Sequence, residues 1–234
     1  MTAFLSPLTL DFLWESLGAG EPPYPIEVSS HGTTEDERNA LRQQVYGELR
    51  ERDLLDGRVE DWLSVLSRAE RSIDAVFEQA PDPTVCALAV AAGSRGVLAT
   101  QTAEGLWLRQ IDAQSLVSAV VDLLPAADRG TEPSITVAAG DLPHGRSQAD
   151  RQVLASFARQ RNHRAGQLAV NARTPAGRSR SPVLSWFDTD SGRYLTYARQ
   201  GRDGHEWITI APADARTLRH RLTELLTSVT GDRP

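Results

Sequence analysis

The chain has 234 residues, of which 31 are acidic and 25 are basic, so its formal net charge is −6. All 25 basic residues are arginine, and Cys86 is the one cysteine. This composition excludes a Walker phosphate loop or a lysine Schiff base, and it excludes a disulfide framework or a cysteine-based zinc or iron–sulfur site.

The first half of the chain begins with helix signals. Ser6 followed by Pro7 is typical of a helix start. Thr34 and Glu37 form a capping box for a second helix, and a third helix follows to make an αα-hairpin. Apolar residues then recur with period two, which predicts four strands within residues 72–111, followed by a helix that runs through Leu124.

The second half repeats this order. Ser147 caps a helix, four short strands fall within residues 167–210, and Pro212 is predicted to open a final helix. Trp107 and Trp207 each occupy the middle of the last strand before a helix with an apolar face. A strand of this kind followed by such a helix is also common, so a chance resemblance between the halves is the alternative to a duplication.

These elements predict an α+β fold in which short, turn-linked strands pair antiparallel. We expect a central antiparallel sheet with a quasi-two-fold internal repeat of ββββα units and flanking helical bundles. The whole chain, residues 1–234, is predicted to be a single domain, with internal halves at approximately 1–125 and 147–229.

The charge is unevenly distributed along the chain. Residues 1–145 carry 10 arginines and 23 acids, a net charge of −13, whereas residues 146–202 carry 11 arginines and 3 acids, a net charge of +8. The basic segment is either a partner-binding face or a set of solvated strand arginines opposite acidic helices.

Catalytic and metal-binding patterns are missing from the sequence. The five histidines show no spacing typical of a metal site, and no GxSxG motif is present. Cys86 lies in the most apolar stretch, where a thiol is inert. We therefore expect no enzymatic activity, no cofactor and no metal. The N-terminus lacks a signal-peptide pattern and no apolar run approaches the length of a membrane helix, so a cytoplasmic protein without a membrane partner is expected.

Six short segments together resemble the EspG family, the secretion-associated chaperones of actinobacterial type VII (ESX) systems. They are LTLDFLWESLG (8–18), PPYPIEV (22–28), HGTTEDER (31–38), DSGRY (190–194), DGHEWIT (203–209) and PAD (212–214). Their order covers nearly the whole chain.

The resemblance implies a non-enzymatic adaptor that binds the exposed hydrophobic tip of a PE–PPE heterodimer or another helical secretion substrate, keeps it soluble and directs it to its secretion system. It implies contacts through the sheet, a loop between early strands and the C-terminal helical bundle, for which residues 80–84 and 93–96 are candidate loops. A monomer or weak homodimer is expected.

Four residues are the candidate partner-binding residues: Arg178, Arg180, Tyr194 and Tyr197. The two tyrosines are three apart on a strand, so they point to opposite faces and at most one lies on a given binding face. The alternative function is a sheet that binds RNA or DNA through the Arg-rich 146–202 segment, with Trp186, Tyr194 and Tyr197 on nearby strands as a stacking platform. The acidic net charge disfavours this alternative, and no nucleic-acid partner is expected.

Overall fold

The computed structural model describes residues 2–51, 57–79, 82–142, 145, 147–202 and 204–231. Its helices are α1 (Pro7–Leu17), α2 (Glu35–Glu51), α3 (Arg58–Ser67), α4 (Leu116–Val121), α5 (Gln148–Arg159) and α6 (Ala215–Thr230). Its strands are β1 (Thr2–Leu5), β2 (Arg71–Gln79), β3 (Asp82–Ala92), β4 (Arg95–Thr102), β5 (Gly105–Asp112), β6 (Ile135–Ala138), β7 (Arg164–Thr174), β8 (Gly177–Arg180), β9 (Leu184–Thr189), β10 (Gly192–Gln200) and β11 (Glu206–Pro212).

The helix starts follow their caps. The Ser6 hydroxyl accepts a hydrogen bond from the Thr9 N–H at 3.2 Å, and Ser147 forms a full capping box with Asp150. The prediction that Pro212 opens the last helix is wrong, because Pro212 is still paired with β10 at the end of β11. The α6 cap is Asp214, whose carboxylate accepts a hydrogen bond from the Thr217 N–H at 2.7 Å.

The sheet is built symmetrically about its centre. Its strand order is β1-β5-β4-β3-β2-β7-β9-β10-β11-β6, with β8 paired to β7, and every pairing between these strands is antiparallel. From the central β2–β7 pair, each half runs outward through four strands in chain order. The predicted fold class, an α+β protein with a central antiparallel sheet and a quasi-two-fold repeat, is confirmed.

Strands β1, β6 and β8 were not expected from the sequence. β1 flanks β5 at one edge of the sheet, in the same way that β6 flanks β11 at the other edge. Because both edge strands precede their four-stranded units in the chain, they extend the repeat to βα-ββββ-α. The halves at 1–125 and 147–229 stay a prediction, and the position of β6 favours an earlier start for the second half.

The sheet has two differently covered faces. The α6 face carries Ile73, Leu168 and Val170, and α4 and α6 pack on it through buried side chains such as Leu218 and Leu222. Burying a large aliphatic side chain contributes about 1.5–3 kcal/mol, so this face holds the main core. On the opposite face, α1–α3 cover the side of β1, β5, β4 and β3, while α5 covers the side of β6.

A buried carboxylate fixes the extended segment that follows α1. Asp11, 5 % exposed, accepts the His31 N–H at 2.7 Å and two hydrogen bonds of 3.3 Å from Arg38 on α2. Burial acts to raise the pKa of Asp11, but these hydrogen bonds outweigh it and hold that pKa below its ordinary value. None of the helices in the described part of the chain is long and apolar enough to span a membrane.

Candidate functional site

The middle of the sheet is uncovered on the face opposite α6. We call this surface the open floor; its side chains are Val76, Cys86, Ala165, Gln167, Ser185 and Thr196. Cys86, Val76, Gln167, Ser185 and Thr196 are successive partners across β3, β2, β7, β9 and β10. All six are partly or fully exposed, because the helices of this face pack only toward the two edges of the sheet.

The dimensions of the open floor follow from strand spacing. Five strands about 4.8 Å apart give a floor roughly 19 Å wide, whereas an α-helix with its side chains is about 10–12 Å across. Since the floor side chains are small or flexible, a partner backbone can approach the sheet closely. The arrangement therefore accepts one helix or the ends of two packed helices.

The two sides of the open floor are held in place by tertiary contacts. On the β4 side, the Gln101 side-chain amide donates to the Glu27 carbonyl at 2.6 Å and accepts from the Glu27 N–H at 2.8 Å. On the α5 side, Phe157 packs edge-on against Phe187 and Tyr194, with ring centroids 6.1 and 4.9 Å apart. These contacts fix the segment before α2 and helix α5 as walls of the groove.

The sequence predicts that helices cover one face of the sheet and leave the other available, but it does not single out the residues of the open floor. Its strands alternate buried apolar residues with small or polar ones, which is also the pattern of a strand whose second face meets only water. The alternation indicates that one face is uncovered, but it does not say whether the helices of the other half reach that face.

Arg180 and Arg178 lie on β8, near the end of β7. Arg180 donates to both oxygens of the buried Asp74, at 2.6 and 3.0 Å, and to Asn171 at 2.9 Å. The hydrogen bonds to Asp74 are the main reason that the pKa of Arg180 is raised above its ordinary value. Arg178 is exposed. Both arginines stay candidates for partner binding, at a surface beyond the open floor.

Tyr194 requires a correction. It is completely buried, its hydroxyl accepts the Glu132 N–H at 2.9 Å and lies 2.7 Å from the Ser191 hydroxyl, and its ring stacks on Phe187. Because α5 covers this end of β10, Tyr194 is not accessible to a partner and serves packing instead.

Tyr197 lies on the opposite face from Tyr194, as the strand spacing predicts. It is partly exposed between two guanidinium groups, Arg199 at 5.4 Å and Arg221 at 5.0 Å from its ring centroid. It lines a cleft of about 340 Å³ between β9, β10 and α6. Tyr197 stays a candidate contact residue on that face.

The stacking platform of the nucleic-acid alternative is not formed by the aromatic side chains that suggested it. Trp186 and Tyr194 are 1 % and 0 % exposed, and the partly exposed Tyr197 ring already contacts two arginines of its own chain. One arginine of the basic segment, Arg193, is itself buried against Asp188. The Arg-rich segment therefore does not present the exposed rings that sheet-based base stacking requires.

The reactive and metal-ligating side chains are dispersed over the described structure. Burial, reinforced by the Glu27 carboxylate, raises the pKa of the Cys86 thiol, which disfavours the nucleophilic thiolate. His163 contacts Asp190 at 2.6 Å on an exposed turn. Among the residues that the structure places, no group of three or more His, Cys, Asp or Glu side chains could hold a metal ion; His144 and Asp203 lie outside them.

Two related units that share one antiparallel sheet, with one helix-covered face and one open centre, define an α+β scaffold with a groove suited to helices. The sequence profile of the EspG family matches residues 6–224. The chain therefore belongs to the EspG family.

Comparison with solved structures agrees with this assignment. The chain is similar to EspG5, the type VII secretion system chaperone of Mycobacterium tuberculosis, solved in complex with a PE25–PPE41 dimer. The TM-score is 0.75 at 14 % identity, over 97 % of this chain and 96 % of that chain, and at this identity the likeness establishes the fold. A comparison with curated protein sequences finds no match.

Proposed function

We propose that this protein is a cytosolic, non-enzymatic chaperone that binds a type VII (ESX) secretion substrate, keeps it soluble and directs it to its secretion system. The substrate class is a helical pair of the PE–PPE kind. Membership of the EspG family supports this proposal, as does the similarity to EspG5. The single observation that carries it is the open floor, a sheet surface wide enough for the ends of two helices.

The open floor acts by replacing solvent around the end of the substrate. An exposed apolar helix end is an aggregation liability, and covering it on a neutral floor of small side chains removes that surface from water. The floor side chains span roughly 19 Å across the strands and about 7 Å along β7, from Ala165 to Gln167, which is on the order of 130 Å². Because specific interfaces bury about 800 Å² per partner, both walls must contribute as well. Residues 80 and 81 of the candidate loop 80–84 lie outside the described residues.

The proposal is tested by co-expression with the small helical secreted proteins encoded beside this chain. We expect a soluble complex of this protein, as a monomer or weak homodimer, with one helical pair. Failure of every such pair to co-purify contradicts the proposal.

A matched pair of variants locates the contact. Ala165→Trp places a large ring on the open floor and is expected to abolish co-purification. Ala176→Trp makes the same change in the exposed β7–β8 turn and is expected to leave it intact. If both variants lose co-purification equally, or if neither loses it, the open floor is ruled out as the docking site.

A further inference from the structure

A second recess lies at the end of the sheet where β2 begins and β7 ends. It measures about 300 Å³ and is bounded by the end of α3, the start of β2, the β7–β8 hairpin and the Pro23–Tyr24 segment. We call it the arginine cleft, after the four arginines that line it: Arg71, Arg173, Arg178 and Arg180. The carboxylates near them are Glu70, exposed at the rim, and Asp74, which is already bound by Arg180.

Three of these guanidinium groups have no counter-charge. Within the described ranges, the side chains of Arg71, Arg173 and Arg178 take part in none of the hydrogen bonds, ion pairs or ring contacts of the structure, although their backbones pair in the sheet. Arg173 and Arg178 are moreover directly opposite each other in the β7–β8 pairing. Like charges at directly opposed positions destabilise a strand pair, so this hairpin keeps a repulsion that one acidic residue would relieve.

The fourth arginine is held in position. Asp74, 3 % exposed, accepts two hydrogen bonds from the Arg180 guanidinium. The Tyr24 ring lies beside the same guanidinium, with 5.6 Å between the ring centroid and Arg180 Cζ. Tyr24 itself is 62 % exposed, more than the other exposed large hydrophobic residues of the described chain, Trp107 and Val183. A pre-positioned cation beside an accessible ring is a suitable anchor for a carboxylate next to an apolar side chain.

Apolar side chains line the arginine cleft beside the arginines. They are Pro23, Leu66 and Ala69, of which Leu66 is 1 % exposed, and we call them its inner wall. We propose that the arginine cleft binds an acidic peptide segment of a protein partner, with one apolar side chain inserted between Tyr24 and the inner wall and flanking carboxylates paired with Arg71, Arg173 and Arg178.

This surface is separate from the open floor. Along β7, Asn171 in the cleft and Gln167 on the floor are four residues apart, which is about 13 Å. Asp74, which is buried and bound by Arg180, pairs with Ala169 between these two positions. The two sites can therefore be occupied and tested independently, and the inference does not depend on the identity of the secretion substrate.

The experiment measures the binding of a fluorescein-labelled peptide of alternating Glu and Leu residues to the full chain by fluorescence polarisation. We expect binding at low salt that weakens as NaCl is added, because the contacts are between charges. The protein as a whole is acidic, so general electrostatic attraction does not supply this binding.

Arg173→Glu is the decisive variant. It places a carboxylate opposite Arg178, which should stabilise the hairpin and raise the Tm by about 2–4 °C. It should also weaken peptide binding by about tenfold or more. Arg109→Glu, an identical charge change at an exposed position on β5, should leave the peptide affinity unchanged. Ala165→Trp on the open floor should likewise bind the peptide normally.

Three outcomes overturn the proposal. The peptide fails to bind at low salt, or Arg173→Glu binds it as well as Arg109→Glu does, or a single-stranded oligonucleotide binds the same arginines more tightly than the peptide. The last result assigns the arginine cleft to nucleic acid instead.

Discussion

The buried ion pair between Arg193 and Asp188 is expected to be a main determinant of stability in the second half of the sheet. Arg193 donates Nε to one Asp188 oxygen at 2.7 Å and Nη2 to the other at 2.9 Å, and the two side chains are 3 % and 7 % exposed. The same guanidinium donates to the Pro125 carbonyl at 2.7 Å and lies 4.4 Å from the Trp186 ring centroid. It thereby ties the segment that follows α4 to β9 and β10.

Arg193→Met removes one partner and leaves a buried carboxylate whose next cation, Arg164, is 3.8 Å away. Removing one member of a buried pair costs about 3–5 kcal/mol, because the remaining charge has lost its compensation. We expect this loss in the free energy of unfolding measured by urea titration. Adding Asp188→Leu removes the stranded charge, so the double variant should recover part of the loss.

Arg219→Met is the control for this prediction. Arg219 pairs with Asp122 across a solvent-exposed surface, with side chains 40 % and 58 % exposed. An exposed pair contributes about 0–1 kcal/mol. If Arg193→Met destabilises the protein no more than Arg219→Met does, or if the double variant loses the sum of both single losses, burial is not the reason for the strength of the inner pair.

Other substitutions test the N-terminal carboxylate and the glycines. The folded pKa of Asp11 is depressed, so the stabilisation of the fold by its carboxylate should be complete at neutral pH and disappear as the pH falls through that pKa. The difference in unfolding free energy between the natural chain and Asp11→Asn, measured by urea titration, should therefore shrink below about pH 4. A constant difference from pH 7 to pH 3 would contradict the role of the Arg38 hydrogen bonds. Gly130→Ala would place its Cβ within the Tyr194 ring and should lower the Tm sharply, whereas Gly47→Ala, in the open interior of α2, should gain about 0.5–1 kcal/mol. The reverse order of melting temperatures would show that the Gly130 contact relaxes easily.

The parts of the fold that were predicted correctly are those specified locally. Ser6, Ser147 and the Thr34–Glu37 capping box each satisfy free backbone groups within one helical turn, so their signal is complete in a few residues. β1 was missed because four residues are too few for a periodic pattern to emerge. Pro212 was misplaced because proline is favoured at a first helical position but equally fits the end of an edge-proximal strand.

The candidate site was harder to predict because coverage of a face is a tertiary property. Tyr194 and Thr196 lie two residues apart on the same face of β10, so their sequence context is alike. Helix α5 covers the first and not the second, since its Phe157 reaches only the end of the strand. Which strand residues are available to a partner is decided by that helix, whose position depends on contacts with β6 and β11.

The net charge of +8 over residues 146–202 combines arginines with opposite roles. Arg193 is neutralised inside the protein by Asp188, and Arg180 is held by Asp74 from the other half of the chain. Arg173 and Arg178, by contrast, face each other without a counter-charge. Two measurements on single substitutions separate these roles. Loss of a structural arginine lowers stability. Arg173→Glu, by contrast, is expected to raise stability while it reduces peptide binding. A residue that serves only packing cannot change stability and binding in opposite directions.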